Sequence, residues 1–415
     1  MRALLNRRVL AWACYDWANS AYATAVLAGF FPVFFKQYWS AQGGASALES
    51  TYQLGLANSL ASVTIAILAP LLGTLADIGG MRRRFLLLFA ALGIVMCAGL
   101  YFVAAGETLL ALSLFILATI GFSGSVVFYD ALIVTVAREA DYDLVSALGY
   151  ALGYLGGGLL FAVTVIMSLQ PAWFGLTGTE EAVRVSFLIV AAWWLVFTLP
   201  LVRYVPDPPA ESRERGLRLL GLGARRLAHT LRHIGRLPQV ALFLLAYWLY
   251  IDGVDTIVRM AVDYGMSLGF AAAQLMVALL ITQFVGFPAA IAFGMLGQRM
   301  GTRRAILLAL AVYLAVTLWA SIMDEVSEFY VLAVIVGLVQ GGVQSLSRSF
   351  YARLIPAAMA AEFFGFYNML GRFAAIFGPF MVGMVGMASG DARLGILSVA
   401  VLFLAGGGLL LMVRD

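Results

Sequence analysis

Histidine and cysteine each occur twice in this chain of 415 residues, and lysine once, at Lys36. Each shortage removes a class of chemistry. Cys14 and Cys97 both lie inside apolar stretches, which excludes a disulfide scaffold and a cysteine-rich metal site. His229 and His233 share one arginine-rich stretch, so neither a histidine-based zinc site nor a Ser-His-Asp triad can form in the apolar body. Charge is scarce too: 12% of residues are charged, against about 25% in a soluble domain. The net charge of +4 is small and no basic stripe alternates with aromatic residues, which argues against a nucleic-acid partner. Nothing calls for a cofactor, a metal or an enzyme's catalytic constellation. What is plentiful is apolar side chain, 63% of the residues, and the expectation is an all-α polytopic membrane protein.

A helix needs about 20 mostly apolar residues to cross a bilayer. Runs of that order predict twelve spans, near 11–36, 53–76, 85–105, 108–130, 145–168, 185–203, 239–261, 271–294, 304–323, 328–347, 363–386 and 394–413. They are too long and too uniformly apolar for barrel strands. Arginines mark one side. Arg2, Arg7 and Arg8 precede the first span, Arg82–Arg84 follow the second and Arg138 the fourth. Eight lie between Arg203 and Arg236. Arg299, Arg303 and Arg304 follow the eighth span, Arg348 and Arg353 lie around the end of the tenth, and Arg414 follows the twelfth. The other side receives Lys36, Arg184, Arg259 and Arg393. Both termini are therefore expected in the cytoplasm. The first span holds Asp16 and Asn19 and lacks a small-residue cleavage site, so it reads as a span and not a signal peptide.

Segment 204–238 separates two six-span bundles, 1–203 and 239–415. It opens Val205-Pro206-Asp207-Pro208-Pro209, which stops a helix, and continues as a basic amphipathic stretch. Leu220, Leu227, Leu231 and Ile234 fall on one face, with Arg218, Arg225, Arg226, Arg232 and Arg236 on others. A helix lying on anionic lipid headgroups is expected, with a solvated linker as the alternative.

The bundles repeat. Gly73-Thr-Leu75-Ala76-Asp77-Ile-Gly79-Gly80-Met-Arg82-Arg83 ends the second span, and Gly294-Met-Leu296-Gly297-Gln298-Arg299-Met-Gly301-Thr-Arg303-Arg304 ends the eighth. They align without a gap. The first glycine permits close helix approach, the eighth residue a tight reversal, and Asp77 suits a neighbouring helix N-terminus. A parallel six-plus-six repeat follows. Here the chain resembles the major facilitator superfamily, whose signature loop reads G-x-L-A-D-R-x-G-R-K. Gly73, Leu75, Ala76, Asp77, Gly80 and Arg82 match it, whereas Ile78 and Met81 stand where basic residues are usual. Gln298 replaces the aspartate in the second copy, so the halves need not gate equally. The resemblance makes Gly73, Asp77, Gly80, Arg82, Arg83, Gly294, Arg299, Gly301 and Arg303 gating candidates.

Further segments narrow it. They are Asp16-Trp17-Ala18-Asn19-Ser20-Ala21-Tyr22, Phe128-Tyr129-Asp130-Ala131-Leu132 and the glycine-rich run from Ser146 to Gly157. To these add Asp252-Gly253 with Thr256, the run from Gly341 through Gln344 to Ser349, and Phe363-Phe364-Gly365-Phe366-Tyr367-Asn368. Together they resemble the vacuole-effluxer branch. That implies transport of amino acids or similar small metabolites, around a path lined by the first, fourth, seventh and tenth helices.

Charges at the bilayer centre cost roughly 2.5–3.5 kcal/mol on insertion scales, so those present are functional candidates. Asp16, Asn19 and Ser20 share a helix face, flanked by Tyr22. Asp130 suits proton coupling, or an ion pair with Arg138 or Arg82–Arg84 that latches a gate. Asp255 and Arg259 have intrahelical pair spacing, which leaves the deeper Asp252 as the better proton carrier. Gln340 and Gln344 recur at helical spacing, as do Asn368 and Arg372. Arg372 could grip a substrate carboxylate with two prongs, or serve as a structural partner of Asp252 or Asp16. The expected substrate face is Asp16, Asn19, Tyr22, Gln340, Gln344, Asn368 and Arg372. Asp252, Asp16 and Asp130 are the proton-coupling candidates, and Trp12, Trp17, Trp39 and Trp173 read mostly as interface anchors. The whole predicts a monomeric, proton-coupled symporter working by alternating access in a bacterial inner membrane. Its partners would be a small-molecule substrate, protons and lipids. A lipid or drug effluxer is the alternative within transport, and a membrane receptor or membrane enzyme the alternative outside it.

Overall fold

A computed structural model describes residues 6–40, 47–212, 214, 217–233 and 237–414. Arg2, Arg213, Arg215, Ile234 and Arg236 lie outside them, as do the side chains of Leu231 and Arg232. Among the described residues, twelve helices are long and apolar enough to cross a membrane. Apolar runs of this length become helices because hydrocarbon offers no partner for backbone N–H and C=O groups. Spans 1–6 are Arg7–Ser40, Tyr52–Gly79, Arg82–Phe102, Thr108–Val136, Glu139–Leu169 and Thr179–Tyr204. Spans 7–12 are Pro238–Ala261, Val277–Met300, Thr302–Ala320, Val326–Leu354, Ala357–Ser389 and Ala392–Met412. All twelve expected segments are present. The main boundary difference is span 10, which runs to Leu354, so Arg348 lies inside the helix and not in a flanking loop.

The repeat recurs in the packing. Span 1 rests on spans 5 and 6, as span 7 rests on 11 and 12; span 4 packs on 2 and 3, as span 10 packs on 8 and 9. The halves meet chiefly through two equivalent contacts, span 2 with 11 and span 8 with 5, and span 10 also packs on span 5 and span 11 on span 4. The first glycine of each signature loop lies in one of them. A Cβ on Gly73 would stand 2.2 Å from the Ala361 carbonyl oxygen, and one on Gly294 2.5 Å from Ala147 Cβ. The eighth residues, Gly80 and Gly301, have φ of +59° and +92°, which glycine alone adopts readily.

The arginine-rich loops gather on one face. Arg82 reaches the Ala357 carbonyl, Gln298 the Ala140 carbonyl, and Arg414 N–H the Gln239 side chain. We call this the terminal face. The linker crosses it. Asp207 pairs with Arg83 and Arg84, and the N–H groups of Glu211 and Ser212 donate to the Ile78 carbonyl. Its helix, Leu217–His233, lies on span 2, with Gly223 against Leu75. Arg218 and Arg225 are exposed, but Arg226 turns inward to Glu211 (2.5 Å) and to the fully buried Glu362 of span 11 (3.4 Å).

Two tryptophans expected at the membrane interface are interior: Trp12 and Trp39 are 0% exposed. Trp12 stacks on Tyr129 and Trp39 on Phe187, and ring-on-ring packing with a bonded indole N–H removes the need for water. Trp173 is exposed.

Candidate functional site

The halves are latched at the terminal face. Asp77 accepts the first free N–H groups of span 11, Ala361 at 3.1 Å and Glu362 at 2.9 Å, where a carboxylate meets the positive end of the helix dipole. Arg82 Nε donates to Asp77 at 2.7 Å, and its Nη2 to the Ala357 and Ala358 carbonyls. The second latch is built differently. Gln298 makes a long 3.5 Å contact to Ala140, and the acid sits on the opposite partner as Asp143 of span 5. Asp143 is 2% exposed and accepts from Arg353 (3.0 Å), Thr302 (2.9 Å) and Ser349. Sequence reasoning passed over Asp143; an acidic residue opening span 5, opposite the neutral Gln298, was the available signal. Arg83 serves its own half and the linker, Arg303 donates to the Leu411 and Val413 carbonyls, and Arg299 is exposed.

Deeper, Arg348 of span 10 reaches into the first half. It is 1% exposed. Its Nη1 is 3.0 Å from Asp130 and 3.9 Å from Asp16; its Nε donates to Ser146 Oγ and its Nη2 to the Ser146 carbonyl, both at 2.8 Å. Asn368 of span 11 donates to the other Asp130 oxygen at 3.0 Å, and Tyr129 donates to Asp16 at 3.2 Å. Asp130 therefore pairs across the bundle with Arg348. The neighbours expected to hold it are committed elsewhere: Arg138 to Asp141, Arg82 to Asp77, Arg83 and Arg84 to Asp207. The hydrogen bonds joining the halves continue up to Tyr154 and Gln344 at 3.2 Å, and none of those described joins them beyond that level. Gln344 lies ten residues before Leu354, roughly 15 Å at 1.5 Å per residue, or near midspan.

Above the latches lie groups without partners. Arg372 makes no hydrogen bond or ion pair among the described residues, although groups on spans 4 and 7 act on it electrostatically, Asp130, Asp255 and Tyr247 among them. Asp255 is half-buried and equally unpaired. The expected Asp255–Arg259 pair does not form within 4.0 Å, because Arg259 extends outward and is exposed. Gln340 Oε1 is buried without a partner. Arg372 is likewise not bonded to Asp252 or Asp16, its two structural alternatives.

Asp252 sits between spans 7 and 11, 1% exposed. One oxygen accepts the Gly378 N–H at 2.9 Å beside Pro379, and the other has no partner, nor has the nearby Thr256 hydroxyl. Asn19 and Tyr22 face inward within their own half: Asn19 is 2% exposed with Nδ2 unbonded, and Tyr22 shares a 2.9 Å hydrogen bond with Thr119. No group of three or more His, Cys, Asp or Glu side chains among the described residues could hold a metal.

The family model described as vacuole effluxer Atg22 like matches residues 6–415. The MFS-type transporter YxiO of Bacillus subtilis is 37% identical over 396 residues, 95% of this chain and 92% of that protein. Autophagy-related protein 22-1 of Aspergillus niger is 27% identical over 290 residues, covering 65% of this chain and 46% of its own length. Among solved structures, the human organic anion transporter MFSD10 superposes with a TM-score of 0.74 over 99% of both chains at 18% identity. The proton:xylose symporter XylE gives 0.72 over 99% of this chain and 95% of its own at 13% identity. At these identities the structural likeness establishes the fold, the twelve-helix major facilitator architecture.

Proposed function

Because the chain belongs to the Atg22-like vacuole effluxer family, we propose that it is a proton-coupled carrier of amino acids or similar small zwitterions. It is a transporter of the major facilitator superfamily and not an enzyme, as its relatives and structural neighbours are. It works by alternating access between bundles 1–203 and 239–415. One chain suffices, because the path runs between its own halves. The arginine-rich terminal face is cytoplasmic by the positive-inside rule, in a bacterial inner membrane.

The observation that carries the substrate class is the pair Arg372 and Asp255. A half-buried cation and a half-buried carboxylate with no hydrogen bond or ion pair among the described residues are costly, and their charges complement a substrate bearing one of each. Arg372 takes the carboxylate with its planar fork. The ammonium goes to the acids, Asp255 on this side of the latches and Asp16 beyond them. Gln340, Gln344 and Asn368 supply amide contacts. Asp252, with one oxygen unbonded beside the break at Gly378-Pro379, carries the coupling proton.

A thermal-shift screen over amino acids and small metabolites tests the substrate, because a ligand that binds the folded state stabilises it by mass action. Uptake into proteoliposomes with and without a pH gradient tests the coupling. Stabilisation by uncharged amphiphiles alone would move the reading to a lipid or drug effluxer.

A further inference from the structure

Arg348 leaves its own half and enters a recess whose rings and carboxylates all belong to the other, with Asn368 of span 11 on the far oxygen of Asp130. The guanidinium carbon is 4.9 Å from the ring centre of Trp12, 5.2 Å from that of Tyr129 and 4.5 Å from that of Tyr150. Asp130 and Asp16 close the recess, and Ser146 adds a hydroxyl and a carbonyl. Aromatic faces with carboxylates are what a cation stripped of water requires. Occupant and recess belong to different halves, so they part whenever the terminal face opens. The recess then retains three rings and two carboxylates but loses its cation. Opening admits water to the recess, but two neighbouring carboxylates beside three ring faces still favour a cation there.

We propose that the recess of Trp12, Tyr129, Tyr150, Asp16 and Asp130 is a substrate cation site. Arg348 fills it in this conformation, and an ammonium or guanidinium group of the substrate fills it when the terminal face opens. This rests on the transporter reading and adds to it the groups that hold the cationic end in the second state. The exchange is like for like, one positive charge out and one in, so the recess keeps its charge through the cycle. Its depth fits an exit route. Arg348 lies six residues before Leu354, roughly 9 Å from the end of span 10, between midspan and the terminal face. A plain latch and a competed site differ in one respect: only the second responds to added cations.

The test uses the full chain in nanodiscs, with Cys14 and Cys97 changed to serine and spin labels at Glu139 and Arg299, exposed positions on the terminal face of opposite halves. Millimolar methylguanidinium should raise the fraction with separated labels severalfold, while its neutral isostere methylurea and sodium chloride do not. In the Arg348→Met background, where no side chain competes for the recess, Tyr150→Leu keeps both carboxylates and should raise the methylguanidinium concentration needed for stabilisation about tenfold, the order expected from one lost cation–π contact. Arg348→Met vacates the recess in every state, so methylguanidinium should raise its Tm, and should not in Arg348→Met/Asp130→Asn. If Arg348→Met does not fold, the label distances in the Arg348-containing protein still decide. Identical distances in methylguanidinium and methylurea would overturn the proposal, leaving Arg348 a latch. So would a Tm response of Arg348→Met undiminished by Tyr150→Leu, because the cation then acts elsewhere. Absence of amino-acid uptake would defeat the transport reading while leaving these responses intact, so the two fail separately.

Discussion

Replacing Gly73 by alanine should tip the carrier toward the state open at the terminal face. The new Cβ would meet the Ala361 carbonyl oxygen at 2.2 Å, the carbonyl carbon at 2.6 Å and Glu362 Cα at 2.9 Å. All three are backbone atoms, so no side chain can rotate away. Ordinary contact begins near 3.4 Å, so spans 2 and 11 must part by 3.4 − 2.2 = 1.2 Å. Overpacking of this kind costs about 1–3 kcal/mol. Once the halves separate on that face the methyl group has room, so the penalty falls on the closed state alone. At tenfold per 1.4 kcal/mol, the equilibrium moves about 5- to 150-fold. Alanine is the better helix former by up to about 1 kcal/mol, but it is so in both states and cancels. Label distances across the terminal face read the result, and accessibility of a cysteine beside Arg348 checks it independently. Gly365, whose Cβ would meet the Ala69 carbonyl oxygen and Pro70 at 2.8 Å, should respond in the same direction. Gly383 has nothing within 4 Å, and Gly383→Ala should be silent. A distance distribution in Gly73→Ala that matches the unsubstituted chain would refute the reasoning.

Asp77→Ala should slow transport more than it weakens ligand binding, because the carboxylate holds the span 11 N-terminus and touches no central group; parallel losses in flux and in titrated affinity would contradict this. Asp252→Asn should abolish proton-driven accumulation in proteoliposomes while sparing exchange between the two sides. If the mutant's uptake keeps its dependence on the pH gradient, coupling belongs to Asp16 or Asp130. Arg372→Lys should weaken substrate binding at least tenfold, because lysine cannot reproduce a two-pronged carboxylate contact; unchanged affinity on folded protein would assign Arg372 a structural role.

The fold was legible because its signals are local. Apolar runs, arginines confined to alternate loops and a signature loop repeated at Gly73 and Gly294 each sit within a short window of sequence. The site was less legible because its decisive contacts are remote. Asp130 could be recognised as a carboxylate in need of a cation, yet periodicity offered only nearby arginines, and the partner lies 218 positions away. Arg348 looked like a topology marker because a charge near a span end resembles a loop residue, and burial alone distinguishes the two. Asp143 escaped for the same reason, with partners 159 and 210 positions distant. The spacing of Asp255 and Arg259 suggested a bond that the outward-pointing arginine does not make.

With the terminal face cytoplasmic, as proposed, the linker helix would give the surrounding lipid an influence over turnover. Arg226 bridges Glu211 and Glu362, so one side chain ties the segment between the halves to span 11. Parting spans 2 and 11 stretches or breaks that tie. On the proposed orientation the released guanidinium emerges beside Arg218 and Arg225 at an anionic leaflet, where a basic side chain gains about 1 kcal/mol from the surface potential. Phospholipid headgroups would then compete with a buried glutamate for the same arginine, and the charge of the leaflet would act as a rheostat on the rate of opening. Vesicles rich in anionic lipid should speed the cycle relative to zwitterionic ones, and Arg226→Gln should remove that difference.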